Sequence, residues 1–363
     1  MARKWYQFKQ YIFAKMPFLK DRNSVFYYAL LLIAIGIGFY AYSLFTQYFT
    51  VPLGGDYTQQ YVAFHYNFYD DWWTFFRTGK FVLWDHTTFL GADNLTSNTY
   101  YGLFSPFLLP ILIFPRLWIP QMMALMMIAR MVTGGLLFRL YLKYMGVSEK
   151  TARIFSIAYA FCGWMAYYLW FNNFFEVLSF LPLILLGIEK ILHKDKPHIL
   201  IIGLFLLAIC NYFFLITICF YGVGYALFRF FQLRKQHTRK ENWAILGWGV
   251  GAFAVGLMLG AWLLLPNYLN AMAAPRAENA TYLLDLQEAW NQGDLTEIFN
   301  LLFFSWGYNN SGESASYRVL YPLLSFLYPA ISGRYVNLLP IKAFENIAGS
   351  IFIFTPGIMM FFV

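Results

Sequence analysis

The sequence predicts an all-α polytopic membrane protein, and three observations carry the prediction. The 363 residues are 60% hydrophobic and only 12% charged, where a soluble chain carries about 25% charged residues. Forty Phe, 28 Tyr and 12 Trp present more aromatic surface than one water-soluble core can hide. Apolar runs long enough to cross about 30 Å of hydrocarbon alternate with short basic loops. With a mean hydropathy of +0.51, these features exclude a cytosolic globular enzyme, a coiled coil and a disordered tail. Cys162, Cys210 and Cys219 all lie in apolar stretches, which supports neither a disulfide framework nor a thiolate metal site.

Residues 1–24 form a basic N-terminal segment with Arg3, Lys4, Lys9, Lys15, Lys20 and Arg22 against one acid, Asp21. No charged residue follows until Asp56, so the first apolar run reads as an uncleaved signal anchor with the N-terminus in the cytoplasm. A loop over 48–102 comes next. Gly102 to Trp118 is apolar but short and broken by Pro106, Pro110 and Pro115. It reads as a re-entrant or interfacial helix on the outer side, because irregular backbone at membrane depth needs cover from protein or a cavity. Further spans are expected at about 120–142, 154–172, 176–191 and 243–265. The uncharged stretch 197–228 is expected to be a helical hairpin that breaks near Asn211-Tyr212. Residues 25–265 thus make the transmembrane module, 266–348 an extracellular segment, and 349–363 the start of a further span in a chain that stops short. Gly247/Gly251 and Gly256/Gly260 each have the spacing that permits close helix packing.

The net charge of +8 resembles a nucleic-acid signature until the charges are placed. The N-terminus and the clusters Arg139–Arg153, Lys190–Lys196 and Arg229–Lys240 hold eighteen of the 26 Lys and Arg against five acids, a balance of +13. The rest of the chain therefore carries −5. This asymmetry orients a membrane protein with its basic loops inside and gives no reason to expect a nucleic-acid partner.

Candidate chemistry sits on the acidic, outward side. Gly54-Gly55-Asp56-Tyr57-Thr58-Gln59-Gln60-Tyr61 follows the first span; two glycines let the backbone turn and deliver Asp56 to the mouth of the bundle. A partly desolvated carboxylate there is a stronger base. The competing assignment is a helix N-cap, with Gln59 three residues on. Trp84 and His86 put an aromatic plate beside a polar group, an arrangement that suits a sugar ring, and Asn94 follows in Gly91-Ala92-Asp93-Asn94. Trp72 and Trp73 read as interfacial anchors, and Asp70-Asp71 as a solvated helix face. Asn172-Asn173-Phe174-Phe175-Glu176 occupies the next outward turn. Glu176 is the only charged residue between Arg153 and Glu189, and a carboxylate placed there is expensive enough to imply function. Two acids with a pair of Asn can hold a divalent cation through oxygen; a simple helix cap is the alternative. Arg276 lies just past the last full span and suits a lipid phosphate; an ordinary surface residue is the alternative. No Gly-rich phosphate loop, serine triad order or HExxH pattern occurs.

The basic N-terminus and anchor, Gly55-Asp56 with Gln59-Gln60-Tyr61, then Trp84, Gly91, Tyr100-Tyr101 and Ser105-Pro106, resemble the YfhO family of bacterial membrane proteins, within the GT-C glycosyltransferase superfamily. The resemblance covers essentially the whole chain and is most specific over 54–106. It implies a GT-C-like bundle with outer-face juxtamembrane helices in the first extracellular loop. It also implies a catalytic acid at the position of Asp56 and a second acid at that of Glu176, where Asp is more usual. The donor it implies is a sugar on a polyprenyl phosphate, and the acceptor an extracellular polymer such as teichoic acid, or a glycolipid.

On this reading Asp56 deprotonates an acceptor hydroxyl in an inverting, metal-assisted or Arg-assisted transfer, and Arg276, with or without a divalent cation, stabilises the departing phosphate. Contacts to sugar or acceptor are expected from Tyr57, Gln59, Gln60, Tyr61, Trp84, His86, Asn94, Tyr100, Tyr101, Asn172 and Asn173. The rival reading, a lipid or polymer transporter or flippase, requires ionisable residues near the bilayer midplane. The sequence reading instead expects charge to collect at the ends of spans. A non-catalytic scaffold for envelope assembly is the third class, and it leaves Asp56 and Glu176 dispensable.

Overall fold

The structure, a computed structural model, describes residues 25–51, 57–86, 91–162, 171–273, 287, 288 and 290–295. The chain divides into two compact units, one of residues 1–161 and 168–267, the other of 162–167 and 268–363.

Helix α1 (Val25–Phe39) and the short α2 (Ala41–Thr46) form the first apolar element. After a π-helical turn (Tyr57–Tyr61), α3 (Val62–Thr78) runs through the first loop and ends on Gly79 in the left-handed region. A two-residue ladder joins β1 (Trp84–Asp85) to β2 (Ala92–Asp93), antiparallel, and leads into α4 (Asn94–Thr99). Asp93 caps α4 by accepting from the Thr96 amide at 3.1 Å. The expected irregular stretch then appears as pieces: a 3-10 turn (Pro106–Leu108), α5 (Leu109–Ile113) and a second 3-10 turn (Arg116–Trp118). Each proline stands within the first two positions of a piece or just before one, where its missing N–H costs nothing.

The bundle follows. Helix α6 (Ile119–Tyr144) has 26 residues, about 39 Å at 1.5 Å per residue and enough to cross a bilayer. Helices α7 (Glu149–Ala160), α8 (Phe175–Leu192), α9 (His198–Cys210), α10 (Tyr212–Leu233) and α11 (Arg239–Ala273) complete it. Among the described residues three helical stretches are long and apolar enough to span: 116–144, 212–236 and 239–270.

Helix α8 is the central element, buried along almost its whole length and packed against α6, α9 and α10. The expected hairpin breaks at Asn211, which caps α10 by accepting from the Phe214 amide at 3.1 Å. Of the two glycine pairs on α11, only the second is used. A Cβ on Gly260 would lie 2.6 Å from that of Ala208 on α9, and one on Gly256 2.9 Å from Leu204, whereas Gly247 and Gly251 face open space.

Candidate functional site

One group of buried polar side chains gathers where α8 begins and α9 gives way to α10. Glu176, in the first turn of α8, is 0% exposed, and Arg130, about 17 Å along α6 from its start, is 1% exposed. Arg130 donates to Glu176 Oε1 from Nη2 at 2.8 Å and from Nε at 3.3 Å. Ser105 donates to the same oxygen while capping the turn at Pro106 through the Phe107 amide. The Arg130 guanidinium lies over the Phe107 ring at 5.4 Å. Behind it, Ser179 donates to the Arg130 carbonyl at 2.9 Å, tying α8 to α6. The Cys210 thiol faces the same carboxylate, yet among the described residues Glu176 Oε2 has no hydrogen-bond partner. Gly102 completes the wall. Its φ of +91° is one that side chains rarely adopt, and a Cβ there would sit 3.6 Å from Glu176 Oε1.

A second layer lies against this pair. Tyr61 donates to Asn173 Oδ1, Asn173 Nδ2 donates to the Tyr100 carbonyl at 2.8 Å, and Asn211 Nδ2 to the Asn173 carbonyl at 3.3 Å. The Tyr61 and Tyr101 rings meet edge-on at 5.6 Å, and Tyr101 meets Tyr100 at 5.0 Å. Tyr61, Tyr100, Tyr101 and Asn173, all expected site residues, are therefore brought together. Tyr57 is buried, and its hydroxyl has no hydrogen-bond partner among the described residues. Burial raises its pKa against the opposing pull of Arg130. His65, one turn beyond Tyr61, faces the Tyr61 carbonyl with Nδ1 at 2.6 Å. Desolvation holds its pKa down at about 4, and the Arg130 charge pushes it further in that direction.

The remaining expectations separate. Asn94 is buried and spends its amide on Asp71 Oδ2 at 2.7 Å and the Val82 carbonyl at 2.8 Å, and it accepts from Asn98. Asn94 thus pins the loop. Asp71, expected on a solvated face, is half-buried as its partner, with its pKa raised by desolvation against the Asn94 bond. Asp70 is exposed but forms a two-pronged pair with Arg116 at 2.9 Å. Trp72 also departs from the anchor reading: its Nε1 donates to the Leu103 carbonyl at 2.9 Å, and its ring packs on Phe81 and Phe104. Trp84 is 54% exposed and lies so close over Gly91 that a Cβ there would meet Nε1 at 2.8 Å. His86 and Gln59 are exposed and Gln60 is half-buried. Asn172 begins a 3-10 turn, and its side chain lies outside the described residues. Asp56 and Arg276 lie outside them too, so the expected convergence of Asp56 with Glu176 does as well.

One correction follows. Charge does not collect only at span ends, because Arg130 sits mid-way along α6; desolvating it is tolerable only because Glu176 meets it at 2.8 Å. The signal for it in the sequence is a lone Arg inside an otherwise apolar span. Among the described residues no group of three His, Cys, Asp or Glu side chains is placed to hold a metal.

Comparison with known proteins agrees with this architecture. The chain is 27% identical over 154 residues to an uncharacterised protein, YfhO, of Bacillus subtilis (strain 168), an alignment covering 42% of this chain and 17% of that relative. No solved structure matches. The sequence profile described as "Bacterial membrane protein YfhO" matches residues 25–337, well over half of the chain, which therefore belongs to the YfhO family of bacterial membrane proteins.

Proposed function

We propose that the chain is the membrane module of a GT-C-type inverting glycosyltransferase, with Asp56 as general base. One observation supports this reading most directly. The helix that begins immediately after Asp56 enters the bundle through Tyr57 and Tyr61, both buried, and is tied to α8 through Asn173 beside a buried Arg130–Glu176 pair. General-base catalysis depends on position, and Asp56 directly precedes this anchored turn in the sequence.

In the proposed reaction Asp56 accepts the proton of an acceptor hydroxyl as that oxygen attacks the anomeric carbon of a polyprenyl-phosphate sugar. The bond from carbon to phosphate oxygen breaks with its electron pair moving to the phosphate, and configuration inverts. Arg276 would balance that charge. Arg130 and Glu176 serve as positioning residues. The acceptor proposed is an extracellular polymer such as teichoic acid, with the active side facing outward and the N-terminus inside.

Transfer from a radiolabelled panel of polyprenyl-phosphate sugars, measured on the protein reconstituted in lipid, tests this. Asp56→Asn is expected to cut transfer by about 10²–10⁴-fold with unchanged melting; full activity in that variant refutes the assignment. The second reading, a transporter, draws support from Arg130 at mid-helix. It predicts movement of the intact lipid-linked sugar across vesicles without any transfer of label.

A further inference from the structure

A cavity of about 230 Å³ lies between α8, α9, α10 and α11, at the opposite end of the bundle from Glu176. Its lining is almost wholly apolar, with Ile188, Leu200, Ile218, Ala226, Phe230 and Ile245 among the walls. An apolar recess at membrane depth is filled by hydrocarbon in a lipid bilayer. The turns at the nearby helix ends are different in chemistry. Lys194 and Lys196 occupy the turn that joins wall residues Leu192 and Leu200, and Arg234, Lys235, Arg239 and Lys240 occupy the one that joins Phe230 and Ile245.

The charges at that end can be paired off one by one. Glu189 is buried and taken by Arg229 at 2.6 Å, Asp195 is taken by Lys190, and Glu241 by Lys194 at 2.8 Å. Five cations, Lys196, Arg234, Lys235, Arg239 and Lys240, then have no acidic partner among the described residues, and all are exposed. Exposed Trp243, on the first turns of α11, adds a ring of the type that sits at headgroup level.

We infer that this cavity and the basic turns near it form a binding site for an anionic glycerophospholipid, one acyl chain in the recess between α10 and α11 and the phosphodiester among the unpaired cations. Charge complementarity selects this occupant, since a zwitterionic lipid offers the same tails but no net charge to five surplus cations. The site is independent of the proposed sugar transfer, and its failure or success leaves Asp56 untouched.

The test is lipid retention. The protein, delipidated in mild detergent, is offered equal phosphatidylglycerol and phosphatidylcholine with identical chains, and bound lipid is read by native mass spectrometry. Phosphatidylglycerol is expected to be retained at least about tenfold over phosphatidylcholine, and glycerol phosphate, which lacks tails, not at all. The triple variant Lys235→Gln/Arg239→Gln/Lys240→Gln is expected to weaken phosphatidylglycerol binding by about a hundredfold, with melting in phosphatidylcholine unchanged. Ala226→Phe, which fills the recess, is expected to release both lipids. If that variant misfolds, Gly222→Val is the substitute, since the Cβ built at Gly222 lies an ordinary 3.6 Å from Ile188. Equal retention of the two lipids, binding of glycerol phosphate alone, or unaltered retention by the folded triple or cavity variant overturns the proposal.

Discussion

Removing one member of the Arg130–Glu176 pair exposes what holds the first loop to the bundle. Both side chains are at most 1% exposed and meet at 2.8 Å. In Arg130→Met the Glu176 carboxylate keeps only Ser105 and the weak Cys210 thiol around it, a buried charge without a counter-charge. In Glu176→Leu the guanidinium is stranded instead. Breaking a buried pair from one side costs about 3–5 kcal/mol, whereas replacing both partners with apolar groups of similar volume is near neutral. The double variant Arg130→Met/Glu176→Leu is therefore expected to recover most of the loss, with a coupling energy of about 2 kcal/mol or more. Thermal unfolding in detergent, followed by Trp fluorescence, gives the readout. At about 2–4 °C per kcal/mol, each single variant should melt about 10 °C low and the double variant within a few degrees of the parent. Single variants that melt like the parent, or a double variant as unstable as the sum of the two, refute the pairing argument.

Three further outcomes are expected. His65 stays neutral in the fold, with its pKa held down at about 4 by burial, against about 6.5 unfolded. The unfolded chain therefore binds more protons between these values, and stability should fall by up to about 3 kcal/mol as pH drops from 6.5 to 4. A His65→Gln variant that keeps the same pH slope in a melting series would disprove this source. Asn211→Ala removes both the α10 cap and the bond to Asn173; a loss of about 1–2 kcal/mol is expected, and a neutral effect in the same assay would show that the hinge is held otherwise. Gly260→Val drives a side chain into Ala208, 2.6 Å from the new Cβ, and should cost about 1–3 kcal/mol; Gly247→Val, facing open space, is the matched control expected to melt like the parent.

Much of this was legible from local pattern. The break at Asn211 follows from a polar pair interrupting an uncharged stretch, because Asn competes for backbone bonds and caps the next helix. The proline-broken segment after Gly102 follows from the spacing of Pro106, Pro110 and Pro115, which leaves no run long enough for a span. The clustering of Tyr61, Tyr100, Tyr101 and Asn173 was anticipated only as membership in one site. Their mutual bonds link positions as far as 112 residues apart, and no local periodicity encodes such a pairing. Asp71 and Trp72 misled for the same reason: an acid or an indole on a loop helix is solvated or interfacial until something folds over it. Asn94, Leu103 and Phe104 do so here.

The sequence alone determined the class, the helical hairpin and the separation of basic from acidic ends, since hydropathy and charge act additively along a chain in lipid. Membership in the YfhO family was likewise readable from residues 54–106. Only tertiary packing decided that Arg130 and Glu176 neutralise one another, that Gly256 and Gly260 pack while Gly247 and Gly251 do not, and that α8, α9, α10 and α11 leave an apolar recess between them. The physical reason is common to all three. A buried charge, a sub-van der Waals approach and a cavity are each defined by what a distant segment brings to the same place.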